Sequence, residues 1–164
     1  MFEILLIVGG LVVALFVLTV LFGAPFVPTH ASAVGQALDL LNLPKNSLLI
    51  ELGSGDGRLL KAAAERGLRA VGYEINPLLW LIGRIRTWKY RRSVQLKLAS
   101  YKNAAWPKGA RGIYIFGTHR DLKFLQRKLQ NYKARPLTVV SYGFKLLGLK
   151  PAGQQGALVK YEIK

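Results

Sequence analysis

Residues 51–57 read Glu51-Leu52-Gly53-Ser54-Gly55-Asp56-Gly57, with glycine at every second position from 53. An apolar stretch, residues 47–52, precedes them. Residues 58–66 follow with Leu59, Leu60 and Ala63 at helical spacing and Gly67 placed as a C-cap. Glycines at a strand-to-helix junction let the backbone turn tightly and approach another group with no Cβ in the way. The start of the helix adds N–H groups with no partner inside it. A strand that feeds a helix through such a turn is half of a βαβ unit. The run therefore commits this part of the chain to a parallel sheet with covering helices.

The downstream pattern continues that alternation. Residues 69–75 read as a second strand, then Asn76 and Pro77 stand as N-cap and first helical residue. The helix predicted from there runs to about residue 91, with Leu78, Leu81, Ile82, Ile85 and Trp88 as its core stripe. Strands are predicted at 93–98, 111–116, 137–143 and 157–163. Thr118 caps a basic helix that extends to about residue 133, and residues 145–155 read as a loop. The fold class is α/β and Rossmann-like, a mostly parallel sheet with helices on both faces and one antiparallel edge strand. A length of 164 residues allows one such domain and an appendage.

The appendage is N-terminal. Residues 4–22 carry no charge, and fifteen of these 19 are Leu, Ile, Val or Phe. On an insertion scale they sum to roughly −5 to −9 kcal/mol. This predicts a transmembrane helix over residues 1–24, then a linker and helix over 25–45, then the catalytic domain over 46–164. Pro25 and Pro28 stop the first helix. Residues 31–43 resume helical spacing with Val34, Leu38 and Leu41 on one face. All 24 Lys and Arg residues lie at or after Lys45, against six acids there, a net +18. Positive-inside logic then predicts a single-pass membrane protein with its domain on the cytoplasmic side. The same charge attracts anionic surfaces, whether an anionic lipid leaflet or nucleic acid. With no cysteine, thiolate nucleophiles and cysteine zinc sites are excluded.

The spacing of the glycines narrows the ligand. The dinucleotide fingerprint has its third glycine one residue later, and a phosphate loop would place Lys and Ser or Thr after the last glycine, where Arg58 and Leu59 stand. The E-x-G-x-G-x-G form resembles motif I of class I S-adenosylmethionine-dependent methyltransferases. That resemblance implies a loop around the methionine and ribose portions, with the first acid reaching the ligand's ammonium directly or through water. Glu74, 17 residues beyond Gly57 at a strand end, stands where an acid accepts from ribose hydroxyls. The candidate cofactor-binding residues are Glu51, Leu52, Gly53, Ser54, Gly55, Asp56, Gly57, Glu74, Ile75, Asn76, Ser100 and Tyr101.

A closer resemblance rests on three blocks: Pro25-Phe26-Val27-Pro28, residues 51–60, and Val71-Gly72-Tyr73-Glu74-Ile75-Asn76-Pro77, with Ile115-Phe116-Gly117 as the fourth strand. They are similar to a family of membrane-anchored protein-lysine methyltransferases whose members act on the c-subunit of ATP synthase. The resemblance extends over about residues 25–117. It implies S-adenosyl-L-methionine as cofactor and an accessible lysine of a membrane protein as acceptor. The chain departs from the family after its third strand, where Ser100-Tyr101-Lys102-Asn103 replaces Ser-Asp-Leu-Trp and the acid that contacts adenine is missing.

Methyl transfer is an in-line displacement in which the protein chiefly aligns the reactants. A lysine acceptor must first lose a proton, which costs about 4–5 kcal/mol at pH 7. No residue stands out as its base; His30 and His119 are the two histidines. The tetrapeptide [DN]-P-P-[YF] of enzymes that methylate planar nitrogens is replaced by Phe116-Gly117-Thr118-His119. Arg84, Arg86, Lys89, Arg91 and Arg92 read first as a solvated face that complements the helix dipole. A protein-lysine methyltransferase is the leading expectation. The alternatives are a methyltransferase for lipid headgroups or RNA, and a catalytically weak adenosylmethionine-binding module.

Overall fold

A computed structural model describes residues 2–22 and 31–164, with side chains in the first stretch over 2–14 and at Val17. The elements in chain order are α1 (Phe2–Phe22), α2 (Ala31–Leu41), β1 (Leu48–Leu52), α3 (Arg58–Glu65), β2 (Arg69–Glu74) and α4 (Pro77–Arg86). They continue with a 3-10 turn (Trp88–Tyr90), β3 (Val94–Leu98), β4 (Gly112–Phe116), α5 (His119–Asn131), β5 (Leu137–Tyr142), β6 (Gly153–Gln155) and β7 (Leu158–Ile163). One seven-stranded sheet has the order β3-β2-β1-β4-β5-β7-β6. The first five strands are parallel, with Ile50 opposite both Val71 and Ile113, and β7 runs antiparallel to β5 and β6.

Alternate side chains of each strand enter two cores. Ile50, Leu52, Tyr73, Ile113, Ile115 and Val139 meet Leu122, Leu125 and Leu129 of α5 on one face. On the other, Leu49, Ala70, Leu96 and Val140 meet Leu59, Leu60 and Ala63 of α3 and Val34, Leu38 and Leu41 of α2. The α3 stripe and the α2 face are those read from periodicity. Burial on both sheet faces explains the unbroken apolar runs of β1 and β4.

Three expectations are corrected. Residues 145–155 are not all loop: β6 forms within them, takes the sheet edge, and leaves the antiparallel strand β7 one place in. The stripe of α4 is inverted. Leu78, Leu81, Ile82, Ile85 and Trp88 are exposed, while Gly83 and Thr87 face the sheet. Gly83 lies so close that a Cβ there would come within 2.6 Å of the Leu96 side chain, while Trp80 packs against the same core and donates its indole N–H to the Leu96 carbonyl at 3.0 Å.

The third correction concerns the membrane. Among the described residues no helix is long and apolar enough to cross one. The transmembrane helix assigned to residues 1–24, and the single-pass placement with a cytoplasmic catalytic domain, are therefore not supported. The proline block at 25–28 and His30 lie outside the described residues.

Candidate functional site

The strand order reverses between β1 and β4. In an open parallel sheet the crevice beyond the carboxyl ends at such a switch point is where ligands bind. The loops that leave that edge are residues 53–57 after β1, 75–76 after β2, 99–103 after β3 and 117–118 after β4.

Gly53, Gly55 and Gly57 all have positive φ, +80°, +51° and +73°, a region closed to most side chains at low cost. The turn is held by backbone bonds: the Gly53 and Ser54 N–H groups donate to the Tyr73 carbonyl at 3.0 and 2.9 Å, and Gly57 N–H donates to the Ser54 carbonyl at 2.9 Å. Gly57 also lets α3 approach α4, since a Cβ there would stand 3.0 Å from Gly83 Cα.

Glu74 is buried and tied to that turn. Gly55 N–H donates to its Oε2 at 2.7 Å, while the Ile75 and Asn76 N–H groups donate to Oε1 at 2.9 and 2.8 Å. A carboxylate has about four acceptor directions, so three are taken and one on Oε2 stays open. Asn76 is the expected N-cap: its Oδ1 accepts from Leu78 and Leu79 N–H at 2.9 and 3.2 Å. Ile75 is exposed, and Leu52 is wholly buried, so Leu52 contributes backbone alone.

The other two acids differ sharply. Glu51 is buried, and its Oε2 has no hydrogen-bond partner. Burial pushes its carboxyl well above the ordinary range; the charges of Asp56 and Glu74 push the same way, against one amide bond from Leu60. Ser54 Oγ is likewise buried without a partner. Asp56 is clamped: Arg58 donates to both its oxygens at 3.0 and 2.7 Å, and Arg86 reaches Oδ2 at 2.5 Å and the Asp56 carbonyl at 3.0 Å. Burial alone would raise its pKa, but these two arginines outweigh that and bring it to about 2. Asp56 thus fixes the loop.

Tyr101 is also engaged. Its hydroxyl donates to Asp121 Oδ1 at 2.7 Å, where Lys102 Nζ stands at 2.8 Å. Thr118 N–H and Oγ1 donate to Asp121 Oδ2 at 2.8 and 2.7 Å, completing a capping box at the start of α5. Burial would raise the Asp121 pKa, yet Lys102, Tyr101 and Thr118 hold it well below the usual range. This acid joins the loops after β3 and β4. Ser100 Oγ accepts from the Lys102 N–H at 3.3 Å. Lys128 closes the same loop from below, donating to the Tyr101, Lys102 and Ala104 carbonyls and standing 4.5 Å from the centre of the Trp106 ring. Past the carboxyl ends of β4 and β5, His119 lies 4.9 Å from Phe144 and Phe116 lies 4.8 Å from Tyr142, centre to centre.

Reading the sequence missed Arg58, Arg86, Asp121, Lys102 and Lys128. Only the Thr118–Asp121 spacing was a readable signal, as a capping box. The partners of Arg86 and Lys128 lie more than twenty residues away in the chain.

A reversed doubly wound sheet with an acid-flanked glycine turn at its switch point defines the methyltransferase version of the Rossmann-like fold. Residues 51–153 match the family described as the ANTKMT methyltransferase domain, and the chain belongs to that family. The c-subunit lysine N-methyltransferase for ATP synthase of Xenopus laevis is 34% identical over 135 residues, 76% of this chain and 58% of that one. The adenine nucleotide translocase lysine N-methyltransferase of Mus musculus is 33% identical, over 80% of this chain and 58% of that one. The chain thus spans a little more than half the length of these curated relatives. An RNA methyltransferase from Salinibacter ruber, solved in complex with S-adenosyl-L-homocysteine, superposes with a TM-score of 0.74 at 26% identity, covering 83% of this chain and 92% of that one.

Proposed function

We propose that this protein binds S-adenosyl-L-methionine in the crevice above β1 and β2 and transfers its methyl group to a lysine of another protein. The observation that carries the cofactor reading is Glu74, locked by the Gly55, Ile75 and Asn76 amides with one acceptor direction left on Oε2. A ribose hydroxyl fits that direction. Glu51 Oε2 and Ser54 Oγ, both buried without partners, fit a ligand with a cationic amine and polar groups beside the glycine turn. Ile75 offers an exposed apolar side chain to adenine, in place of the acid absent at residues 100–103. Bound, the cofactor supplies an electrophilic methyl group on a sulfonium.

The chain's residues align and shelter the reaction. Residues 53–57 hold the methionine end, with Glu51 placed to balance its ammonium. The aromatic groups at the ends of β4 and β5 receive an apolar stem and exclude water, which lowers the cost of a neutral lysine. The named activities of the curated relatives support a protein lysine as acceptor, and a membrane protein like the ATP synthase c-subunit is the first candidate.

Titration calorimetry with S-adenosylmethionine should show one site, lost in Glu74→Ala while Glu74→Gln retains a folded protein. With methyl-labelled cofactor, label should enter a protein band. Binding without label on any fraction would leave a binding module, and absence of binding would refute the proposal.

RNA is the second reading. It is favoured by the likeness to the Salinibacter ruber enzyme over nearly all of that chain and by a net charge of +16. Label that disappears on nuclease treatment would select it.

A further inference from the structure

The exposed face of α4 has no counterpart in the site. Leu78, Leu81, Ile82 and Ile85 of α4 and Trp88 of the turn that follows recur at helical spacing, and all five are exposed; Ile85 is 69% exposed and Trp88 60%. At 100° per residue the four on α4 span about 100° of one face. Beside this stripe runs a groove of about 380 Å³ between α4 and the edge strand β3, lined by Arg84, Trp88, Arg91, Gln95 and Lys97 among others. The Arg84 guanidinium lies 5.6 Å from the Trp80 ring centre and that of Arg91 5.2 Å from Trp88, so the aromatic rings hold these cations in place. Among the described residues no carboxylate forms an ion pair with Arg84, Lys89, Arg91 or Lys97.

Large aliphatics and a tryptophan on one face, flanked by unneutralised Lys and Arg, are what a helix lying in a lipid interface requires. A second copy of the chain would bring two such cationic borders together on a molecule already at +16. A single-stranded RNA would be met by exposed aromatics at its bases, whereas four of the five side chains here are aliphatic. We infer that α4 docks this protein peripherally on an anionic lipid surface, with the stripe in the headgroup–acyl boundary and Arg84, Arg91 and Lys97 holding a phosphate headgroup. The helix is capped by Asn76, two residues after Glu74, so docking sets the carboxyl-edge crevice beside the lipid. The inference stands independently of methyl transfer.

The test is co-sedimentation of the full chain with phosphatidylcholine vesicles, alone or with a quarter phosphatidylglycerol. Binding should favour the anionic vesicles and weaken with salt. Arg84→Gln/Arg91→Gln/Lys97→Gln should weaken it about 100-fold, at roughly fivefold per charge. Ile85→Ser/Trp88→Ser should weaken it at least about tenfold. All these side chains are at the surface, and circular dichroism confirms that the variants fold. Because α1 is itself apolar, brominated lipids provide a local reading: they should quench tryptophan fluorescence, and Trp88→Phe should remove most of that quenching. Quenching unchanged in Trp88→Phe, equal binding to neutral vesicles, or substitutions that weaken retention on RNA and not on vesicles would each overturn the inference. Failure of adenosylmethionine binding would not affect it.

Discussion

Glu51 and Asp56 stand at the two ends of one short turn, and their environments separate their chemistry. Asp56 meets two guanidinium groups and is brought to about 2, so the clamp it forms weakens only as pH falls through that value. Glu51 meets none. Its folded pKa lies above the 4.5 of the free group, so the folded state keeps a proton that the unfolded chain has released. The stability linked to that proton is complete below about pH 4.5 and is lost as pH rises toward the folded value. Glu51→Gln should therefore flatten the pH dependence of stability, removing a slope of up to about 1.4 kcal/mol per pH unit in that window. Denaturant titrations at several pH values measure it. The same variant should bind S-adenosylmethionine more weakly, because the carboxylate that balances an ammonium is gone. A parallel rise in stability and affinity would contradict the role assigned to Glu51. The identities of both acids were legible in the glycine motif. The opposite directions of their pKa shifts were not, since that of Glu51 follows from burial and that of Asp56 partly from Arg86, thirty residues further on.

At the scale of elements, α4 shows why periodicity alone misassigns a face. Its largest side chains recur every three or four residues, which is the usual mark of a core stripe. The helix instead rests on Gly83, Thr87 and Trp80, because at Gly83 the Gly57 turn and Leu96 come too close for a side chain. Gly83→Ala should cost about 1–3 kcal/mol through overpacking, despite a helix-propensity gain of about 1 kcal/mol. It should also weaken adenosylmethionine binding, since the Gly57 amide nitrogen is 3.4 Å from where that Cβ would stand. The denaturant midpoint and a calorimetric titration check the two effects. The edge strand β6 escaped notice for a different reason. Gly153, Gln154 and Gln155 have no apolar alternation, and their pairing with β7 exists only once that strand is in place.

For the whole molecule, charge is the dominant long-range term. Six ion pairs are found among the described residues, and they cannot offset a net +16. Self-repulsion at low ionic strength should destabilise the fold. Raising salt from 0.01 to 0.15 M shortens the screening length from about 30 to about 8 Å, so the thermal midpoint should rise by several degrees. A fall instead would mean that the surface ion pairs outweigh the repulsion.

Local pattern was enough to specify the alternating α/β fold, the glycine turn, the place of Glu74 and the family. These depend on periodicity and on residues whose backbone needs are met within a few positions. It took the folded chain to decide in which direction the carboxyl of each acid of the turn is shifted, which face of α4 meets the sheet, and that Asp121 joins two loops. Each of these depends on which distant side chains are brought within a few ångströms, and no local pattern encodes that distance. The membrane span read from apolar length fell in the same way, since among the described residues no helix meets the length and apolarity that crossing requires. What remained in its place is the stripe on α4, whose exposure came from a glycine.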